Sequence, residues 1–370
     1  MPQRARNLSV LVVLLLTAMF VPLSYVPSAE AAAHASAVSQ FSVTGSLYTI
    51  SALTGSDAWA VGYAGPATKQ STLIVHWNGR VWRRVQSPNP GSDCGLGSVT
   101  VISAGDAWAV GSCTSSSIIL HWNGRAWTQV RNPYRAAILQ GVAGTSPRNV
   151  WAVGFAAPSQ SPMVTVVLHW NGKDWTRIAS PHPQNLGLFS VAAASAASAW
   201  SVGVVAPLGG PADILHWNGH AWRQVPCPNP KSATGLNGLT GVAVVPATDR
   251  AWAVGASGLQ GYTKTLIVHW NGRRWTLVRS PSPKAAQLAR VAALSSNDAW
   301  AVGAAALTTS RSTTLILHWN GRSWTQVRSP NPAAANSLAD VAATGVRNAW
   351  AVGSTGSKTL ILHWNGRNWS

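Results

Sequence analysis

Seven times the chain writes His-Trp-Asn-Gly, two variable residues and Trp, at His76, His121, His169, His216, His269, His318 and His363. No other feature constrains the fold as tightly. Asn-Gly between apolar, β-prone runs predicts a hairpin corner, because both residues tolerate the positive φ of a type I′ turn. The sequence therefore reads as seven corners between antiparallel strands.

Upstream of each corner stands a second signature, Ala-Trp-Ala-Val-Gly or a near copy, with Trp at 59, 108, 151, 200, 252, 300 and 350. Its spacing runs from 43 to 52 residues, and with the Trp that follows each corner it accounts for all 21 tryptophans. A repeat of that length is the mark of propeller blades. Repeat six shows four short strands: Leu288 to Ala293, Ala299 to Gly303, Thr314 to Trp319 and Trp324 to Val327. A turn built on Ser295 to Asp298 joins the first two, and the prolines of Ser-Pro-Asn-Pro end the last, since proline cannot donate to a ladder. Within the second strand, Trp300 and Val302 share one face, and Ala299, Ala301 and Gly303 the other. The third strand is apolar on both faces apart from His318, as a sheet sandwiched between neighbours requires. The expected fold is an all-β, seven-bladed β-propeller of four-stranded antiparallel blades over residues 45–370.

Residues 1–33 read as a signal peptide: Arg4 and Arg6, an apolar run from Leu8 to Val21, then small residues through Ala35. The run is short for a membrane span, and no cysteine follows it to carry a lipid anchor. The expectation is a secreted or cell-surface protein with no membrane span after processing. Residues 34–44 form an N-terminal segment in which Gln40 to Thr44 alternate and offer a strand to close the ring on blade seven. Taking 1–33 away from 27 basic and 9 acidic residues leaves 25 and 8, a net charge of +17 with no glutamate. Such a field favours anionic partners.

The chain resembles the β-propeller repeat families, without the Trp-Asp dipeptide of WD40 repeats or the Gly-Gly doublet of kelch repeats. The corner Trp77-Asn78-Gly79-Arg80-Val81-Trp82 is most similar to the Asp-box of sialidase-like propellers, with Trp77 where the aspartate would sit. As a whole it resembles a secreted bacterial Trp-rich propeller. The resemblance implies that each repeated His hydrogen-bonds to the nearby turn, as in the His/Asp network of WD40 blades, through Asp57, Asp106, Asp249 or Asp298. It also brings in lectins, whose pockets between blades stack sugars on indole.

Metal ligation by the histidines is not expected, because each sits in a different blade and zinc wants three or four ligands on one ion. No cofactor is expected. Glycosidases need paired carboxyls, and eight scattered aspartates supply few pairs. An enzyme would have to use residues that break the sevenfold pattern: Asp93, Tyr134, His182, Asp213, Tyr262, Arg290 and Asp340. No catalytic residue is assigned. An exported chain allows oxidation, and Cys94 and Cys113, in neighbouring loops on one face, are expected to pair and leave Cys227 free.

Two candidate sites remain. After each corner Asn-Gly comes Arg80, Arg125, Lys173, His220, Arg273, Arg322 or Arg367, which would form a cationic ring on one face, with Arg148, Arg250 and Arg347 beside it. On the innermost strand, the residue facing the channel is Thr49, Ser98, Gly141, Ser190, Gly241, Arg290 or Asp340. Arg290 and Asp340 are expected either to pair, closing the ring, or to anchor a ligand. The expected function is a non-catalytic, monomeric propeller that presents a binding surface to an anionic polymer, a glycan or a protein surface outside the cell, without specific recognition of nucleic acid. A glycan-acting enzyme with an asymmetric site at the channel and a multivalent Trp-rich lectin are the alternatives.

Overall fold

The computed structural model describes residues 41–370 apart from 115, 157–162, 183, 206–211, 229, 231–236, 259–261 and 308–309. The described residues form seven antiparallel sheets, six of four strands and one of three, with strands in sequence order from the inside of each sheet outward. Blade one is typical: an innermost strand Gly45–Thr54, a second Asp57–Ala64, a third Ser71–Trp77 and an outer Trp82–Val85. In blade seven the outer position is an antiparallel bridge between Trp364 and Trp369. The backbone N–H groups of His363 and Ser370 donate to each other's carbonyls there, at 2.9 and 3.1 Å.

The corner is not the two-residue type I′ turn expected above. Trp77 pairs with Trp82, so four residues make the loop. In all seven corners the glycine takes a φ between 86° and 97°, whereas no corner asparagine has positive φ. The asparagine acts through its side chain instead: Asn78 Oδ1 accepts the N–H groups of Arg80 and Val81 at 3.1 and 3.0 Å. Its small amide closes an Asx turn and leaves the positive φ to glycine.

Every innermost strand carries a β-bulge one residue before its channel position, as between Leu47 and Thr49 or Leu338 and Asp340. There the strand presses on the glycine that ends Ala-Trp-Ala-Val-Gly, and a Cβ on Gly62 would collide with the Ser46 carbonyl oxygen. The signature therefore needs glycine where the pleat is pinched.

The three tryptophans of a repeat serve two interfaces. Trp59 of blade one stacks on its own His76 with ring centroids 4.1 Å apart. It also meets the corner Trp122 and, edge to face, the outer-strand Trp127 of blade two, at 4.9 and 5.3 Å. Trp350 meets Trp77 and Trp82 in the same way, so blade seven packs on blade one. No second-strand or outer-strand tryptophan is more than 7% exposed. Each such ring buries about 150–250 Å², and edge-to-face pairs contribute roughly a further 0.5–1.5 kcal/mol.

At the junction of the termini, Val43 accepts the Thr359 N–H at 2.9 Å and donates its own to Thr359 Oγ1 at 3.1 Å. Gly45 N–H donates to the Ser357 carbonyl at 2.9 Å, and Phe41 and Val43 pack on the core between blades seven and one. Gln40 and the expected signal peptide lie outside the described residues.

Candidate functional site

The turns between first and second strands pack on the corners. A Cβ on corner Gly172 would lie 2.6 Å from Arg148 Cγ, and one on Gly366 the same distance from Arg347 Cγ. Six of the seven corner tryptophans donate their Nε1–H to a carbonyl of that turn, as Trp77 does to Gly55 at 3.1 Å. Both sets of residues therefore occupy one face of the disc. Arg80, Arg125, Lys173, Arg273, Arg322 and Arg367 are all exposed on it, as are Arg148, Arg250 and Arg347.

Most acids of this face are engaged. Asp57, Asp106 and Asp298 accept from His76, His121 and His318 at 2.8, 3.0 and 2.9 Å. Asn149, Ser198 and Asn348 take that place beside His169, His216 and His363. Asp249 does not, contrary to expectation. Blade five has a longer turn that puts Arg250 in the register position, and Asp249 instead sits over corner Gly272. Burial lowers the pKa of His169, His216, His269 and His363, with Arg250 adding repulsion at His269. Among the described residues, no group of three or more His, Cys, Asp or Glu side chains is arranged to hold a metal ion.

Three of the seven channel positions, Ser98, Ser190 and Asp340, accept a main-chain N–H of the next blade. Ser98 Oγ accepts the Val142 N–H of the next blade at 3.1 Å, and Ser190 Oγ accepts that of Val242 at 3.3 Å. Asp340 Oδ2 accepts the Ile50 N–H of blade one at 3.0 Å, and its Oδ1 the Val341 N–H at 2.8 Å. Arg290 reaches the other way, donating to the Thr240 carbonyl of blade five and, at 3.0 Å, to the Phe189 carbonyl of blade four. Its chain crosses Gly241, where a Cβ would lie 2.7 Å from Arg290 Cα. The expected Arg290–Asp340 ion pair is not made. Thr240 and Phe189 are the bulged residues of their strands, and Arg290 satisfies the carbonyls that the bulges leave without ladder partners, whereas Asp340 takes N–H groups on the inner edge of the first strands. Burial pushes the Asp340 carboxyl up to about 6, against the pull of Arg290 and the two N–H groups. Burial also lowers the pKa of Arg290, with Asp340 opposing.

Blade four departs most from the repeat. Asp213 stands where the other third strands carry Leu73, Ile118, Val166, Leu266, Leu315 and Leu360. It is 2% exposed, accepts from Gln224 Nε2 at 3.2 Å, and lies 3.6 Å from His182 Nε2, too far for a hydrogen bond. Burial raises its pKa. Cys227 replaces a serine that bonds a third-strand threonine elsewhere, as Ser87 bonds Thr72, and burial plus Asp213 push its thiol up to about 12. The sequence signal for this cluster is one acid in an aliphatic column, visible only once the repeats are stacked. Of the other irregular residues, Asp93 accepts the Gln70 N–H, Tyr134 lies under Arg177, and Tyr262 is exposed. Cys94 and Cys113 form a disulfide, S–S 2.00 Å, tying the linker from blade one to the loop between the second and third strands of blade two.

No protein-family model and no curated protein matches the sequence. Among solved structures, YCF48 bound to a D1 peptide is similar at a TM-score of 0.58 and 16% identity, over 88% of this chain and 95% of that one. The lectin of Aleuria aurantia, a six-bladed β-propeller with a fucose recognition mode, gives 0.51 and 13%, over 77% and 95%. An ulvan lyase of polysaccharide lyase family 25 gives 0.52 and 9%, over 88% and 92%. At these identities the likeness is one of fold.

Proposed function

We propose that this is a non-catalytic binding propeller of the cell exterior, whose corner face holds an anionic polymer such as an acidic glycan. One observation carries the reading: the face spreads exposed cations over every blade but the fourth, whose corner residue is His220, while three of its aspartates are withdrawn into histidine bonds. Distributed charge of this kind binds through many weak, salt-sensitive contacts. That structural neighbours include a fucose-binding lectin and a polysaccharide lyase is consistent with a carbohydrate partner. Sugar stacking between blades is less favoured, because the indoles there are covered by each other. A channel ligand would have to compete with the main-chain bonds of Arg290 and Asp340.

The test is retention on heparin and on teichoic acid. Replacing Arg80, Arg125, Arg273, Arg322 and Arg367 by Gln is expected to shift elution to markedly lower salt with the melting temperature preserved. Unchanged retention would overturn the proposal.

A further inference from the structure

Five large apolar side chains are exposed among the described residues, and three of them lie on the cationic face: Val346 at 71%, Leu53 at 39% and Val81 at 38%. Single exposed apolar residues need no explanation, but these three belong to adjacent blades. Val346 is in the first turn of blade seven, Leu53 leads into the first turn of blade one, and Val81 is in the corner of blade one. The two turns touch: a Cβ on Gly55 would lie 3.4 Å from Asn348 Nδ2. Half-buried Trp77 packs on Trp350 at this same junction.

The surrounding charge is one-sided. Arg80, Arg347 and Arg367 flank the apolar residues. The acids that stay exposed on this face, Asp174 and Asp249, stand in blades three and five, and Asp57 of blade one is bonded to His76. A flat face with a basic periphery and a local apolar contact matches one kind of partner better than a soluble polyanion, to which exposed valine and leucine offer nothing. Lipid headgroups attract the arginines, and the boundary beneath them accepts the apolar side chains.

We infer that the junction of blades seven and one seats the corner face on an anionic lipid surface. The inference rests on the cationic-face reading above and gives that face, at this one junction, an occupant other than the polymer. Each basic residue near such a surface is worth about fivefold in partitioning, and the apolar contact adds a part that salt does not screen.

The experiment is co-sedimentation of the full chain with phosphatidylglycerol-containing vesicles and with pure phosphatidylcholine vesicles, alongside heparin retention. The apolar N-terminal run is identical in all variants, so contrasts between variants report the face. Binding is expected to require phosphatidylglycerol. The triple change Leu53→Ser, Val81→Ser, Val346→Ser is expected to lower vesicle partitioning roughly fivefold or more while heparin retention stays the same. Equal vesicle binding by the triple variant would overturn the inference. So would heparin retention without vesicle binding, which leaves the cationic-face reading standing. Loss of both interactions in the parent chain would remove both.

Discussion

The channel and the corner face hold the same kinds of charged residue under opposite conditions. At the channel, Arg290 and Asp340 spend their polar atoms on the main chain of neighbouring blades. On the corner face, Arg80 or Arg322 stands in water and bonds nothing through its guanidinium that the fold needs. A charge that completes the hydrogen bonding of a bulged strand is part of the fold. A charge displayed to solvent contributes to stability only weakly and is available to a partner.

The largest expected effect tests that contrast directly. Arg290→Met leaves the Thr240 and Phe189 carbonyls without their donor and should cost about 2–4 kcal/mol, read by denaturant unfolding. The five-arginine corner variant should stay within about 0.5 kcal/mol per site. If Arg290→Met were neutral, the channel charge would not be structural.

Next in size is Asp340→Asn. The carboxyl's pKa is pushed up to about 6 in the fold, from an ordinary 3.8. Burying the charge therefore carries a cost in stability; this cost is absent at low pH, grows as pH rises through this window and is complete above about 6. The asparagine variant, which can still accept from Ile50, should gain on the order of 1 kcal/mol over the parent at pH 7–8. That gain should vanish below about pH 4. A gain independent of pH would refute the assignment.

The smallest effect separates blades whose histidine bonds an amide from those whose histidine bonds a carboxylate. The pKa of His169 is lowered by burial, so the unfolded chain takes up the proton first. Stability is lost as pH falls below about 6.5, until the folded value is passed. Asn149→Asp supplies a carboxylate to His169 and should reduce that acid sensitivity by roughly 0.5–1 kcal/mol, measured as the difference in melting temperature between pH 7.5 and 5.5. The same change in slope from Asp57→Asn, with opposite sign, would sharpen the contrast.

Much of the fold was legible because it is written in local periods. The corner motif placed seven turns, although its backbone differs from a type I′ turn: Asn78 acts through its side chain, and that choice depends on a loop length that the dipeptide alone does not specify. The corner cations could be put on one face because alternation along an up-and-down sheet leaves no other place for them. The partners of Arg290 and Asp340 could not be read, since the first are bulged residues of blades four and five and one of the second lies on the first strand of blade one. Nor could the meeting of His182 with Asp213, which joins the linker before blade four to its third strand.

By itself the sequence determined the blade count, the strand order and the apolar faces, because each follows from residues within one repeat and a backbone period of two. Only the tertiary structure decided that Trp59 covers Trp122 and Trp127, that Arg290 spans three blades, and that the first turns of blades seven and one meet at Asn348 and Gly55. Those contacts exist only when blades pack on one another, since each joins residues of different repeats.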